Sequence, residues 1–336
     1  PPPPPTPRSN RRQRQMCIRD RRSCLEERGI GVRSSLTQFY QGVANGGAEQ
    51  IFRYGAKFDL YFDLNTEKLG WWKGGNISIH ASEWQFGQIS IADAVFLAPV
   101  NVNLVLPTPE PSYAISQFLL EQQIGDKGLV LMLGRYNLLD LWEGFFPDYG
   151  HGLEGFMNVS SLIPFNIVLA GLPPTSNVAG LLKAGEKGLE SGFLTFENAN
   201  HPENIGLNFP NGVTMLGFGR KYTEFGGLPG SHTFAATWAT GDFTNLDTND
   251  WVQLPGGLPI PTTQSGQWCA AYFGEQRLYQ DPCNEQSYTK LYGYVGLADT
   301  NTNLFDVNAG VSLEKFGTRR RPGDRMGIGI FGSGLT

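Results

Sequence analysis

Between Ile51 and Asp63 the chain reads Ile-Phe-Arg-Tyr-Gly-Ala-Lys-Phe-Asp-Leu-Tyr-Phe-Asp. Phe52, Tyr54, Ala56, Phe58, Leu60 and Phe62 fall on one parity, and Arg53, Gly55, Lys57, Asp59 and Asp63 on the other. Ile51 and Tyr61 are the exceptions. Successive side chains of a strand point to opposite faces, so this is a period-two element with one greasy and one charged side. Its apolar face runs from residue 52 to residue 62. A tilted strand needs about 9–11 residues to cross a bilayer. The charged side carries both signs, as the wall of a water-filled lumen would.

Composition agrees with strands rather than helices as the membrane element. Only 40% of residues are hydrophobic, and no run approaches the roughly 20 apolar residues of a membrane helix. Alternating strands average out to a mildly polar composition, so they remain compatible with a bilayer. The first 28 residues differ from the rest. They hold eight Arg against three acidic residues, which leaves the remaining chain more acidic than the overall −5. Their core, Arg11-Arg-Gln-Arg-Gln-Met-Cys-Ile-Arg-Asp20, resembles a translated sequencing adapter fused to an unrelated protein. Residues 1–28 are therefore expected to be a disordered, non-native basic leader, with the native signal peptide missing. The other reading is a basic nucleic-acid or targeting arm. Cys269 and Cys283 flank the segment Ala270 to Pro282. A disulfide and two free thiols both stay open, and neither cysteine pair has metal-ligand spacing.

From residue 29 onward, strand patterns recur. They fall at 29–41, 51–63, 75–84, 114–122, 129–137, 165–172, 188–198, 212–224, 231–242, 268–279, 288–298, 303–316 and 326–331. Residues 129–137 are apolar on both faces, so their inward side stays unassigned. The connections alternate in length. Those near 65–73, 124–128, 225–230 and 280–287 are short, and those near 85–112, 138–163, 199–211 and 243–267 are long. Antiparallel membrane barrels show this asymmetry between their two ends. Two links break it: 173–187 is long where a short one is expected, and 300–302 is the reverse. The expected fold is all-β, an antiparallel transmembrane β-barrel over residues 29–336. An open edge in lipid would strand backbone groups at several kcal/mol each, so closing strands are expected beyond the C-terminal end.

Several segments, in this order, resemble the carbohydrate-selective porins of the OprB type. They are Phe58-Asp-Leu-Tyr-Phe-Asp63, Glu67-Lys-Leu-Gly-Trp-Trp-Lys-Gly-Gly75, Leu120-Glu-Gln122, Gly134-Arg-Tyr-Asn137 and Gly155-Phe-Met-Asn-Val-Ser-Ser161. Leu228-Pro-Gly230, Gly274-Glu-Gln-Arg-Leu-Tyr279 and Arg321-Pro-Gly-Asp-Arg-Met-Gly-Ile-Gly329 complete the set. The resemblance implies a bacterial outer-membrane barrel of about 16 strands, of which this chain would supply about 12–13. It implies passive diffusion of small neutral sugars, with outer-membrane lipids and sugars as partners and homo-oligomers allowed. No enzyme activity, cofactor or nucleic-acid partner is implied. It also implies that the loop after the fifth strand folds inward and sets the pore width.

Parity and that loop give the candidate lumen residues. Arg53, Lys57, Asp59, His80 and Trp84 are expected to face inward from the strands. Asn137, Asp140, Trp142 and Glu143 are expected at the narrowing. Aromatic faces and paired charges suit sugar hydroxyls, and binding must stay weak enough for release. Other readings exist for each. Arg53, Lys57 and Asp59 could simply pair as wall residues. Trp71 and Trp72 fit an interfacial belt. Asp140 and Glu143 could be the carboxylate pair of a glycosidase. At the level of function, the alternatives are a general or anion-biased porin and a soluble all-β carbohydrate-binding or hydrolytic domain.

Overall fold

The computed structural model describes residues 22–87, 115–147, 155–156, 158, 163–169, 175–198, 212–318 and 321–336, with the backbone alone for 81–87. Thirteen strands form one antiparallel sheet in chain order. They are β1 (Ile30–Gly42), β2 (Phe52–Asn65), β3 (Gly75–Gly87), β4 (Gln117–Ile124) and β5 (Leu129–Asn137), then β6 (Thr175–Gly185), β7 (Gly188–Glu197) and β8 (Val213–Phe225), then β9 (Leu228–Thr244), β10 (Thr263–Asp281), β11 (Asn284–Ala298), β12 (Val307–Phe316) and β13 (Arg325–Gly334). Among the described residues, two helices, α1 (Leu138–Phe145) and α2 (Phe165–Leu169), lie between β5 and β6.

The sheet is curled, and α1 proves it. Asp140 on α1 hydrogen-bonds His80 on β3 at 2.9 Å. Phe146, at the helix end, meets the ring of Tyr292 on β11 at 6.2 Å. These strands are eight steps apart in the sheet, about 38 Å if it were flat. An eight-residue helix spans only about 12 Å. One short helix touches both walls because the sheet wraps around it.

The period-two reading of β2 holds. Phe52 is 54% exposed on the outer surface, while Lys57 and Asp59 are buried on the inner one. The outward apolar set continues around the sheet through Leu36, Phe118, Leu133, Leu181, Phe193, Phe234, Val311 and Ile328, all exposed. Residues that would be poorly placed in water are well placed in lipid. No helix among the described residues is long and apolar enough to cross a membrane.

The loop asymmetry is more regular than the sequence suggests. Residues 165–172 were expected to be a strand, but Phe165–Leu169 is a helix. Residues 175–185 were expected to be part of a link, but Thr175–Gly185 is β6. For β6 the cause is apolar packing on both sides. In β6, Val178 and Leu182 are buried inward and Leu181 is exposed outward, so both faces are apolar and no alternation shows. With β6 in place, 138–174 is a single long connection and 186–187 a two-residue turn. The turn after β8 is equally tight: Gly226 and Gly227 have φ of 59° and 76°. Two successive left-handed residues are what a type I′ hairpin requires.

The inside of the barrel is not uniformly wet. Met132, Tyr136, Leu194, Phe196, Leu216, Phe218, Phe273 and Tyr292 form one buried cluster with Leu139, Trp142 and Phe146. These wall residues point inward and pack on α1. In β5 the inward side is therefore that of Met132 and Tyr136, with Leu133 outward. Residues 22–27, within the leader expected to be disordered, are helical, with an Arg22–Glu26 ion pair at 3.1 Å one turn apart.

Candidate functional site

The inner column of β2 runs Arg53, Lys57, Asp59, Tyr61, Asp63 from the long-loop end to the short-turn end. Charge changes sign along it. Lys57 Nζ lies 3.1 Å from Asp59 Oδ1, and both are buried. His80 on β3 donates through Nε2 to the same Asp59 oxygen at 3.0 Å. Its other nitrogen, Nδ1, reaches Asp140 Oδ2 on α1 at 2.9 Å. Tyr61 stacks on the His80 ring at 3.9 Å between centroids, and the Arg33 guanidinium lies 5.0 Å over Tyr61. Arg33 also approaches Asp63 at 3.7 Å.

A cavity of about 900 Å³ opens between this wall and α1. Its charged lining is Arg33, Asp59, Asp63, Glu121, Asp140 and Glu143. Ser78, Gln117 and Tyr61 add neutral hydrogen-bonding groups. The volume lies in the range of small-molecule sites, and apolar side chains such as Leu119, Met132, Phe145 and Leu182 share the lining with these polar groups.

Helix α1 is placed by its ends. Asn137 Oδ1 accepts from the backbone N–H of Leu139 and Asp140, which caps two of the helix's orphan donors. Asn137 Nδ2 donates to Ser116 Oγ. At the other end, the Trp142 ring packs on Phe146 and Phe273 at 4.4 and 5.3 Å. Arg220 sits 4.5 Å over the Phe146 ring. A helix this short is not stable alone, so these anchors hold it.

Lys57, Asp59, His80 and Asp140 therefore come together, and Glu143 lines the same cavity. Arg53 belongs to the same inward column. Asn137 is a helix cap and Trp142 a packing residue in the aromatic cluster; neither lines the cavity. Trp84 is a different case, because its side chain lies outside the described residues. The strand pairing shifts register between Leu60 and Tyr61, so Tyr61 pairs with His80 but Phe58 with Trp84. Sequence reasoning set Tyr61 aside as an exception to the alternation, and passed over Arg33 and Glu121. A lone aromatic on the charged parity was the signal for Tyr61.

Residues 49–332 match the family model described as carbohydrate-selective porin, OprB family. The chain belongs to this family. The fold agrees with that of OprB from Pseudomonas putida. Against its high-pH structure the TM-score is 0.74 at 17% identity, over 95% of this chain and 78% of that one. Against its low-pH structure the TM-score is 0.54 at 13% identity, over 94% and 80%. The sequence has no significant match among curated proteins. As a member of the OprB family the chain is an outer-membrane sugar channel rather than an enzyme.

This membership and the outward apolar surface set aside the soluble carbohydrate-binding alternative. The cysteines follow as well. Cys269 and Cys283 are both free, one buried on the inner face of β10 and the other in the turn after it.

Proposed function

We propose that small neutral sugars diffuse passively along the β1–β5 side of the lumen and pass beside α1. The observation that carries this is the cavity and its charged groups. It places the Tyr61 ring among carboxylates, a guanidinium and neutral side-chain groups next to the inward helix. Such a wall offers hydroxyl groups many weak partners and no closed cage, which suits passage rather than capture. Lys57, Asp59, Asp140 and Glu143 are the proposed selectivity residues, with Arg53 above them.

An anion-biased pore is the less favoured reading, because five carboxylates line the cavity against one guanidinium. The ion leak through this pore is expected to favour cations. Reconstitution in liposomes tests the proposal. Glucose and maltose should enter, and a salt gradient should give a reversal potential of cation-selective sign. Ion passage without sugar entry would remove the sugar assignment.

A further inference from the structure

The geometry points to His80 as a positioning residue, a bracket that fixes the constriction helix to the barrel wall and so sets the width of the passage. The inference rests on the lumen reading above but goes beyond it, since His80 is not a solute contact. Its ring is 1% exposed. Nε2 meets Asp59 Oδ1 on β2 at 3.0 Å and Nδ1 meets Asp140 Oδ2 on α1 at 2.9 Å. A carboxylate oxygen only accepts, so both bonds form together when both ring nitrogens carry a proton. Lys57 faces the same Asp59 oxygen at 3.1 Å. A protonated ring and Lys57 would set two cations against these two carboxylates, which lowers the cost of placing charge away from water.

Three features mark this as a device for holding α1 rather than a chance wall pairing. The bond from Nδ1 ties the first turn of α1 to the β3 wall. The second face of the ring is fixed by Tyr61 at 3.9 Å, so His80 cannot swing away without unstacking. The register shift between Leu60 and Tyr61 sits directly beside His80. A bulge re-aims a side chain, and here it leaves His80 opposite Tyr61. The far end of α1 packs through Trp142 and Phe146 against Phe273, with Arg220 over the Phe146 ring. Without His80, the first turn would keep its continuity with β5 and the Asn137 cap but lose this tie to the β2–β3 wall.

Single-channel recording of the full chain in planar bilayers tests this. His80→Ala and Asp140→Ala should each raise the frequency of open-channel current fluctuations about tenfold, the factor that about 1.4 kcal/mol gives. Hydrogen bonds to charged groups contribute at least that much. Both variants should also admit larger oligosaccharides. The double variant should behave like either single one, because one link is lost in each case. Asp140→Asn, which keeps an oxygen to accept from Nδ1, should return fluctuations toward the wild-type level. Asp140 lies on the helix, so its variants report even if a change at His80 on the strand prevents assembly. Wild-type fluctuations in Asp140→Ala, or additive effects in the double variant, would overturn the bracket. Sugar entry by the wild type is read separately, so a failure of the bracket leaves the sugar assignment standing, and the reverse.

Discussion

The β1–β5 wall and the β8–β11 wall are built from the same kind of strand, yet their inner faces do opposite things. On β2 and β3 the inner face carries Lys57, Asp59, His80 and Asp63. On β8, β10 and β11 it carries Leu216, Phe218, Phe273 and Tyr292, which are buried. The difference lies in what each wall faces. One borders the cavity, and the other borders α1. Inner apolar residues lower the free energy only when something dry covers them, and α1 supplies that cover. The barrel is thus plugged on one side by α1, and the cavity lies beside the charged β2–β3 face; toward its short-turn end the other wall also holds an ion pair, Lys290 to Glu275 at 2.8 Å. A family defined by an aqueous channel can carry a hydrophobic core inside it, provided the core is confined to one side.

The strongest way to break this comparison is to hollow the plug. Phe273 is buried against Trp142 and Phe146. Phe273→Ala should cost about 3–5 kcal/mol, read as a lower unfolding temperature in detergent. It should also raise single-channel conductance, because space opens where none existed. Unchanged conductance together with lost stability would mean that the plug does not border the passage.

A second test sharpens the inside-outside assignment. Phe234 on β9 is 63% exposed and faces outward, near the middle of its strand. Phe234→Arg should cost about 2–4 kcal/mol in a bilayer. The same change in detergent without lipid should cost less, because the charge can reach water. A penalty that ignores the lipid would place Phe234 in a protein core.

The smallest effect is expected on the open wall. Lys57→Ala removes one cation from beside Asp59 and leaves the acidic lining in excess. Cation preference should rise, with sugar flux changed by no more than about tenfold, the scale of one lost charged hydrogen bond. Reversal potentials and liposome uptake give both numbers. A shift toward anions would contradict the cavity's charge.

How much of this was legible in the sequence follows the same division. The open wall was legible because water inside and lipid outside impose the alternation directly, as in Phe52 to Phe62. Lys57, Asp59 and His80 could be read as one face from it. The apolar strands where the open wall ends were not. Met132 and Tyr136 point in and Leu133 points out, so β5 looks apolar throughout, and β6 likewise. Their parity is set by α1, which comes later in the chain than β5 and touches walls far apart in sequence. Residues 165–169 are short and apolar, and helix and strand share that appearance. Asn137 looked like a lumen amide, but its place immediately before an apolar helical turn was a capping signal.

The central claim is that solute passes along the β1–β5 wall and not along the β8–β11 wall. Cysteine accessibility addresses it directly, because the plugged side already holds Cys269, 1% exposed on the inner face. In a chain with every other cysteine replaced by Ser, a membrane-impermeant thiol reagent should leave the single-channel current unchanged. Adding Ser78→Cys, on the cavity lining, should make the same reagent block the current. Block through Cys269, or none through Ser78→Cys, would contradict the account.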